Sequence, residues 1–132
     1  MRRRRRGVRI DPQPGVERGP RVRITVDGRP VESFLGESVA AAMIADSGEL
    51  TLRTTSAGDP RGLFCGMGVC FECLVVVDGV ANTRACMSWV RDGTAVAQVG
   101  FVPVKGVTIA TDAFVALTNR ALQRIAEMPA PK

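Results

Sequence analysis

Four cysteines stand at Cys65, Cys70, Cys73 and Cys86, a C-x4-C-x2-C-x12-C spacing, and no histidine occurs in the 132 residues. Four soft ligands within one loop and the hairpin after it point to a metal or cluster site, and nothing else in the sequence limits the fold as much. A structural four-cysteine zinc site usually takes two short knuckles, each clamping two corners of a tetrahedron. Here only Cys70 and Cys73 form a short pair, and Cys65 lies upstream in a loop holding Gly66 and Gly68. That order is the plant-type spacing for a [2Fe–2S] cluster. Glycines at positions 62, 66 and 68 allow close backbone approach and let N–H groups face sulfur. The lack of histidine rules out a Rieske centre within the chain and removes the base that a cysteine nucleophile needs. A thioredoxin-type pair would expect a βαβ setting, not a hairpin flanked by two more cysteines. Zinc and a degenerate or disulfide-bearing site are the alternatives that spacing leaves open.

The length suits one domain with extra chain at its ends. No stretch reaches the roughly 20 apolar residues needed to span a bilayer. The N-terminus is arginine-rich with no apolar segment behind it, which argues against a secretory or twin-arginine signal. A cytoplasmic protein is the default expectation, and in that compartment clustered cysteines are metal ligands more often than disulfides. The net charge of +5 is unevenly placed: residues 1–23 carry +7 and residues 24–132 carry −2. Arg2–Arg6 read as a solvated tail. No aromatic residue interleaves these arginines and no nucleic-acid fold motif follows, so nucleic acid is not the expected partner.

Residues 1–20 show no apolar periodicity and read as a disordered basic leader. From Arg21 the pattern becomes regular. Val22, Ile24 and Val26 alternate with polar residues as in a half-buried strand, Asp27-Gly28 is a hairpin signal, and a second strand returns over about 29–34. Ser38 can cap an alanine-rich helix from Val39 that ends at Ser47-Gly48. Leu50–Thr54 reads as a short strand, and residues 56–60 as a loop delivering the chain to the cysteines. Leu74–Val77 and Val80–Arg84 form a second hairpin around Asp78-Gly79, which returns Cys86 toward Cys73. A short strand or turn follows over Met87–Val90, and Thr94–Val99 suits a last strand. The expectation is an α+β domain over 21–100. Residues 101–132 form a C-terminal extension, irregular until an amphipathic helix at about 111–128. Phe114, Leu117, Ala121, Ile125 and Met128 make the helix stripe and Pro129 stops it. That stripe suits either the chain's own domain or a partner subunit.

The run from Pro60 through Phe64-Cys65-Gly66-Met67-Gly68 to Cys73, with Val77-Asp78-Gly79 and Arg84-Ala85-Cys86-Met87, resembles the small ferredoxin-like subunits of multi-subunit FAD-dependent dehydrogenases. That family includes small subunits of hydrogen cyanide synthase, opine oxidase and D-hydroxyproline or proline dehydrogenases. The N-terminal domain of the sarcosine oxidase alpha subunit is similar too. The resemblance spans roughly residues 21–100 and implies a β-grasp fold of plant-type ferredoxin. It implies that Cys65 and Cys70 hold one iron of a [2Fe–2S] cluster, and Cys73 and Cys86 the other. It further implies a subunit that is not an enzyme alone. Such a subunit relays electrons from FAD on a partner that oxidises an amino or imino acid, within a hetero-oligomer. A free-standing ferredoxin is the rival expectation. Small subunits of molybdenum hydroxylases share the compact cysteine spacing but carry four more cysteines, and this chain has none after Cys86. Phe64, Met67 and Phe71 are expected as a water-excluding collar, and Trp89 as a core or partner-contact residue. Glu72 and Asp78 are expected at the surface. Arg84 is expected either to bring positive charge near the cluster or to be solvated.

Overall fold

The computed structural model describes residues 8–98 and 110–127. Both hairpins close on Asp-Gly pairs. Asp27 and Gly28 take φ of 51° and 75°, and Asp78 and Gly79 take 48° and 79°. Two consecutive positive φ values match the twist of paired strands, which is why this dipeptide sets the register. The first hairpin joins β1 (Arg21–Val26) to β2 (Arg29–Phe34), and the second joins β5 (Leu74–Val77) to β6 (Val80–Arg84). A short strand β7 (Ala95–Ala97) lies between the hairpins, parallel to β1 and antiparallel to β5. The sheet order is therefore β2-β1-β7-β5-β6.

The helix α1 (Val39–Ser47) covers one face of this sheet with Val39, Ala40, Ala42 and Met43 buried. Ser38 Oγ accepts from the Ala41 N–H at its start. Gly48 ends it in the left-handed region with its N–H on the Ile44 carbonyl. Ile24, Val31, Val39, Leu52, Val75 and Val90 lie in one buried core between helix and sheet. A mixed sheet crossed by one helix, with parallel central strands, is the β-grasp arrangement of a ferredoxin-like α+β domain.

Three local differences from the sequence expectation have physical reasons. The stretch before the cysteines contains a strand: β3 (Thr51–Thr54) pairs antiparallel with β4 (Pro60–Gly62) in a separate two-stranded ribbon. A strand of three residues that opens on proline has no alternation to read. The segment after β6 begins with a single 3-10 turn, Ala85–Met87, and then an isolated bridge between Ser38 and Trp89.

The third difference is the leader. Val8–Pro20 forms no helix or strand, yet it lies against the domain instead of standing free of it. The Val8 N–H donates to the Ala45 carbonyl at 3.0 Å, and the Leu35 N–H to the Pro20 carbonyl at 2.9 Å. The Arg9 guanidinium grips the Glu37 carboxylate, and Arg9 and Arg18 stand 4.9 and 5.3 Å from the Phe34 ring centre. Charge pairs and cation–π contacts, not apolar periodicity, hold this strap. Arg2–Arg6 lie outside the described residues, as do residues 101–109, Val99, Met128 and Pro129. The second helix, α2 (Thr111–Ala126), carries Asp112 in its first turn and leaves Val115 and Leu117 exposed.

Candidate metal centre

The β3–β4 ribbon delivers the chain to a loop from Leu63 to Cys73, and β5 begins immediately after it. Strand β6 pairs Arg84 with Leu74, and the Ala85 N–H then donates to the Cys73 carbonyl at 3.0 Å. That bond and the 3-10 turn bring Cys86 beside Cys73. Both are buried, with exposures of 8% and 1%, whereas Cys65 and Cys70 are half-buried in the loop.

Backbone N–H groups of Met67, Cys70 and Val69 converge on the Cys65 sulfur. With the Cys70 thiol, they pull the Cys65 pKa from its usual value to about 6. Amide dipoles aimed at sulfur favour the thiolate, which is the form that binds metal. Cys86 behaves oppositely. Burial pushes its thiol up, its hydrogen bond with Cys73 adds to this, and the Gly68 N–H partly offsets it. The loop makes these N–H groups available by taking positive φ at Gly66 and Gly68, 67° and 80°. Gly68 is also pressed against the second pair's segment, since a Cβ there would stand 2.7 Å from Met87 Cγ.

The four thiols are free of disulfides, and hydrogen bonds link the Cys65 thiol to Cys70 and the Cys86 thiol to Cys73. The donor set suits a [2Fe–2S] cluster: four thiols, one strongly acidified, with N–H donors facing the Cys65 and Cys86 sulfurs. Among the described residues, no three His, Cys, Asp or Glu side chains are grouped closely enough to hold a metal ion.

Around the cysteines the surface is apolar and open. Phe64 is 83% exposed and Trp89 63%, and Met67, Val69, Phe71 and Met87 are exposed too. The expected collar residues Phe64, Met67 and Phe71 are all exposed, and Trp89 is not a core residue. Arg84 is not simply solvated, because its guanidinium lies 4.7 Å from the Phe71 ring centre. Glu72 pairs with Arg61 at 3.4 Å, and the Asp78 carboxylate accepts from the Ala95 N–H at 2.7 Å. Arg53, which no sequence pattern singles out, donates to the Phe71 carbonyl at 3.1 Å. Its one signal in the sequence is that arginines at 53, 61 and 84 flank a loop whose single charge is Glu72.

A β-grasp domain presenting three thiols in one glycine-turned loop and a fourth in the turn after β6 defines an iron–sulfur protein of the ferredoxin type. The chain belongs to the 2Fe-2S iron-sulfur cluster binding domain family, whose model matches residues 19–100. It is 42% identical over 73 residues to the hydrogen cyanide synthase subunit HcnA of Pseudomonas aeruginosa, covering 55% of this chain and 69% of that one. The HcnA of Pseudomonas protegens is 40% identical over 73 residues with the same coverage. Among solved structures it is similar to L-proline dehydrogenase from P. horikoshii, with a TM-score of 0.54 and 26% identity. That likeness covers 70% of this chain and only 18% of the dehydrogenase chain, so it concerns one part of a larger enzyme. No described helix is long and apolar enough to cross a membrane.

Proposed function

We propose that this chain is the electron-transfer subunit of a cytoplasmic oxidoreductase complex and carries one [2Fe–2S] cluster. In this reading, Cys65 and Cys70 hold one iron, and Cys73 and Cys86 the other. A partner subunit holds FAD and oxidises an amino or imino acid. The observation that carries the reading is the pairing of Cys65 with Cys70 and of Cys73 with Cys86, with backbone N–H donors on Cys65 and Cys86, in a chain of the matching family. When bound, such a cluster supplies reversible one-electron chemistry. The chain's own residues provide thiolate ligands, N–H groups that offset sulfur charge, and an apolar surface for a partner to cover. Two relatives support the partner's role: one is named as a subunit of a synthase, and the other acts on an amino acid.

The exposed rim of Phe64, Met67, Phe71 and Trp89 favours a fixed subunit over a diffusible carrier. Carriers steer by charge, and residues 24–132 carry only −2. Iron and acid-labile sulfide analysis with visible absorption tests the cluster. Two irons and two sulfides in a coloured protein are expected, and a colourless protein with one tight zinc overturns the reading. Purification of the native protein tests the partner. Recovery with a flavin-containing subunit is expected, and recovery as an unaccompanied, redox-active monomer makes it a free ferredoxin.

A further inference from the structure

The β3–β4 ribbon stands apart from the main sheet and is anchored by Leu52, which is 2% exposed. Its register sets Arg53 directly opposite Arg61. Like charges facing each other across a strand pair are unfavourable unless each has another partner. Both do, and the partners are neighbours. Arg53 Nη2 donates to the Phe71 carbonyl at 3.1 Å, and Arg61 Nε lies 3.4 Å from Glu72 Oε2. Phe71 and Glu72 are the two residues between Cys70 and Cys73. On the far side, the Arg84 guanidinium covers the Phe71 ring at 4.7 Å.

A second observation points the same way. Arg53 Nε is buried and has no hydrogen-bond partner among the described residues. A buried guanidinium N–H without an acceptor is costly, and nearby negative charge reduces that cost. Resting on the [2Fe–2S] reading above, we infer that Arg53 and Arg61 form a clamp on the Cys70–Cys73 turn, and that Arg53 biases the cluster toward its reduced state. Arg53 is a positioning residue that also contributes charge. Its Nη2 bond holds the Phe71 carbonyl, and so the direction in which the turn presents Cys70 and Cys73. Its positive charge favours the more negative of two redox states.

The test uses the full chain with its cluster in place, after iron and sulfide analysis of the wild type. A colourless wild type would sink the cluster reading itself, separately from this inference. Arg53→Met removes the Phe71 bond and the charge, Arg53→Lys keeps the charge without the guanidinium's placement of that bond, and Glu72→Gln removes the Glu72 charge from Arg61 while leaving Arg61 charged. Redox titration of Arg53→Met is expected to lower the reduced-to-oxidised ratio at fixed poise about tenfold, which is about 59 mV for one electron. Arg53→Lys is expected to stay within about threefold of wild type in that ratio. Arg53→Lys and Glu72→Gln are each expected to release iron to a chelator several-fold faster and to broaden the cluster's EPR signal. If Arg53→Met does not take up a cluster, the Arg53→Lys and Glu72→Gln rates decide the clamp. Unchanged release rates in both variants overturn it. An Arg53→Met protein that titrates as wild type overturns the charge effect.

Discussion

The two halves of the cysteine framework are built by opposite means. Cys73 and Cys86 sit in the hydrophobic core beside Val75 and Ala85, at the end of a hairpin whose register is fixed by Asp78-Gly79. Cys65 and Cys70 sit half-buried in a loop outside the core cluster, among glycine turns, with amides aimed at the Cys65 sulfur. Burial raises the Cys86 thiol while N–H donors lower the Cys65 thiol to about 6. Cys86 is thus positioned by folding but gains little help toward ionising. Cys65 is ready to ionise but is positioned by the loop. One half supplies rigidity, and the other supplies a Cys65 thiolate at a surface that a partner can reach.

The strongest challenge to this contrast is to replace one cysteine from each half. Cys65→Ser and Cys73→Ser should both abolish the cluster, seen as loss of visible absorption and of bound iron. Their cluster-free forms should then differ. Cys73→Ser puts a hydroxyl into the core and should cost about 1–3 kcal/mol, a clear drop in melting temperature against the cluster-free wild type. Cys65→Ser should leave that melting temperature nearly unchanged. Equal losses in the two variants would break the distinction between a folded half and a loop half.

Gly68 joins the halves and permits a finer test. Its N–H faces Cys86 although the residue belongs to the outer loop, and it has no room for a Cβ against Met87. Gly66 shares the positive φ but has open space where its Cβ would be. Gly66→Ala should cost only the left-handed backbone strain, about 1 kcal/mol. Gly68→Ala should cost about 1–2 kcal/mol more, because Met87 must move. The double change Gly68→Ala with Met87→Ala should recover most of that difference. Thermal melts of the four proteins read it directly, and no recovery would mean that the halves do not meet at this contact.

These features were unequally legible in the sequence. The hairpins were legible because Asp-Gly dictates a local backbone geometry. Strand β1 was legible because Ile24 and Val26 alternate with polar neighbours, and Ser38 announced α1 by its capping oxygen. The thiol donors were legible because few chemistries use four clustered cysteines. The hold on Val8–Pro20 was not, since it depends on Arg9 meeting Glu37 across 28 positions. The ties of Arg53 to Phe71 and Arg61 to Glu72 were hidden for the same reason: polar pairs between distant segments leave no period to read. Exposure of Phe64 and Trp89 was also hidden, because an apolar residue reads as core whether it packs on its own chain or faces outward.

The leader strap is tied through Glu37 to the segment after Cys86, which gives the smallest effect and a pH dependence. Glu37 is a hub. Burial would raise its pKa, but hydrogen bonds from Arg9, Ser33 Oγ and the Phe34 N–H outweigh it and hold the carboxyl below its ordinary value. Its backbone carbonyl accepts from the Val90 N–H at 3.0 Å, and the Val39 N–H donates to the Ser88 carbonyl at 2.7 Å, so the segment after Cys86 is tied to the strap. A carboxylate with a lowered folded-state pKa stabilises fully above its unfolded value and loses that contribution as pH falls through the folded value. Glu37→Gln should therefore cost about 1 kcal/mol at neutral pH, and the gap to wild type should close as pH drops below the ordinary glutamate range. Hydrogen exchange should quicken at Ser88–Val90 in the variant and stay unchanged at Gly66–Val69. Faster exchange in the outer loop as well would show that the strap braces the whole site, and the two halves would no longer count as separately supported.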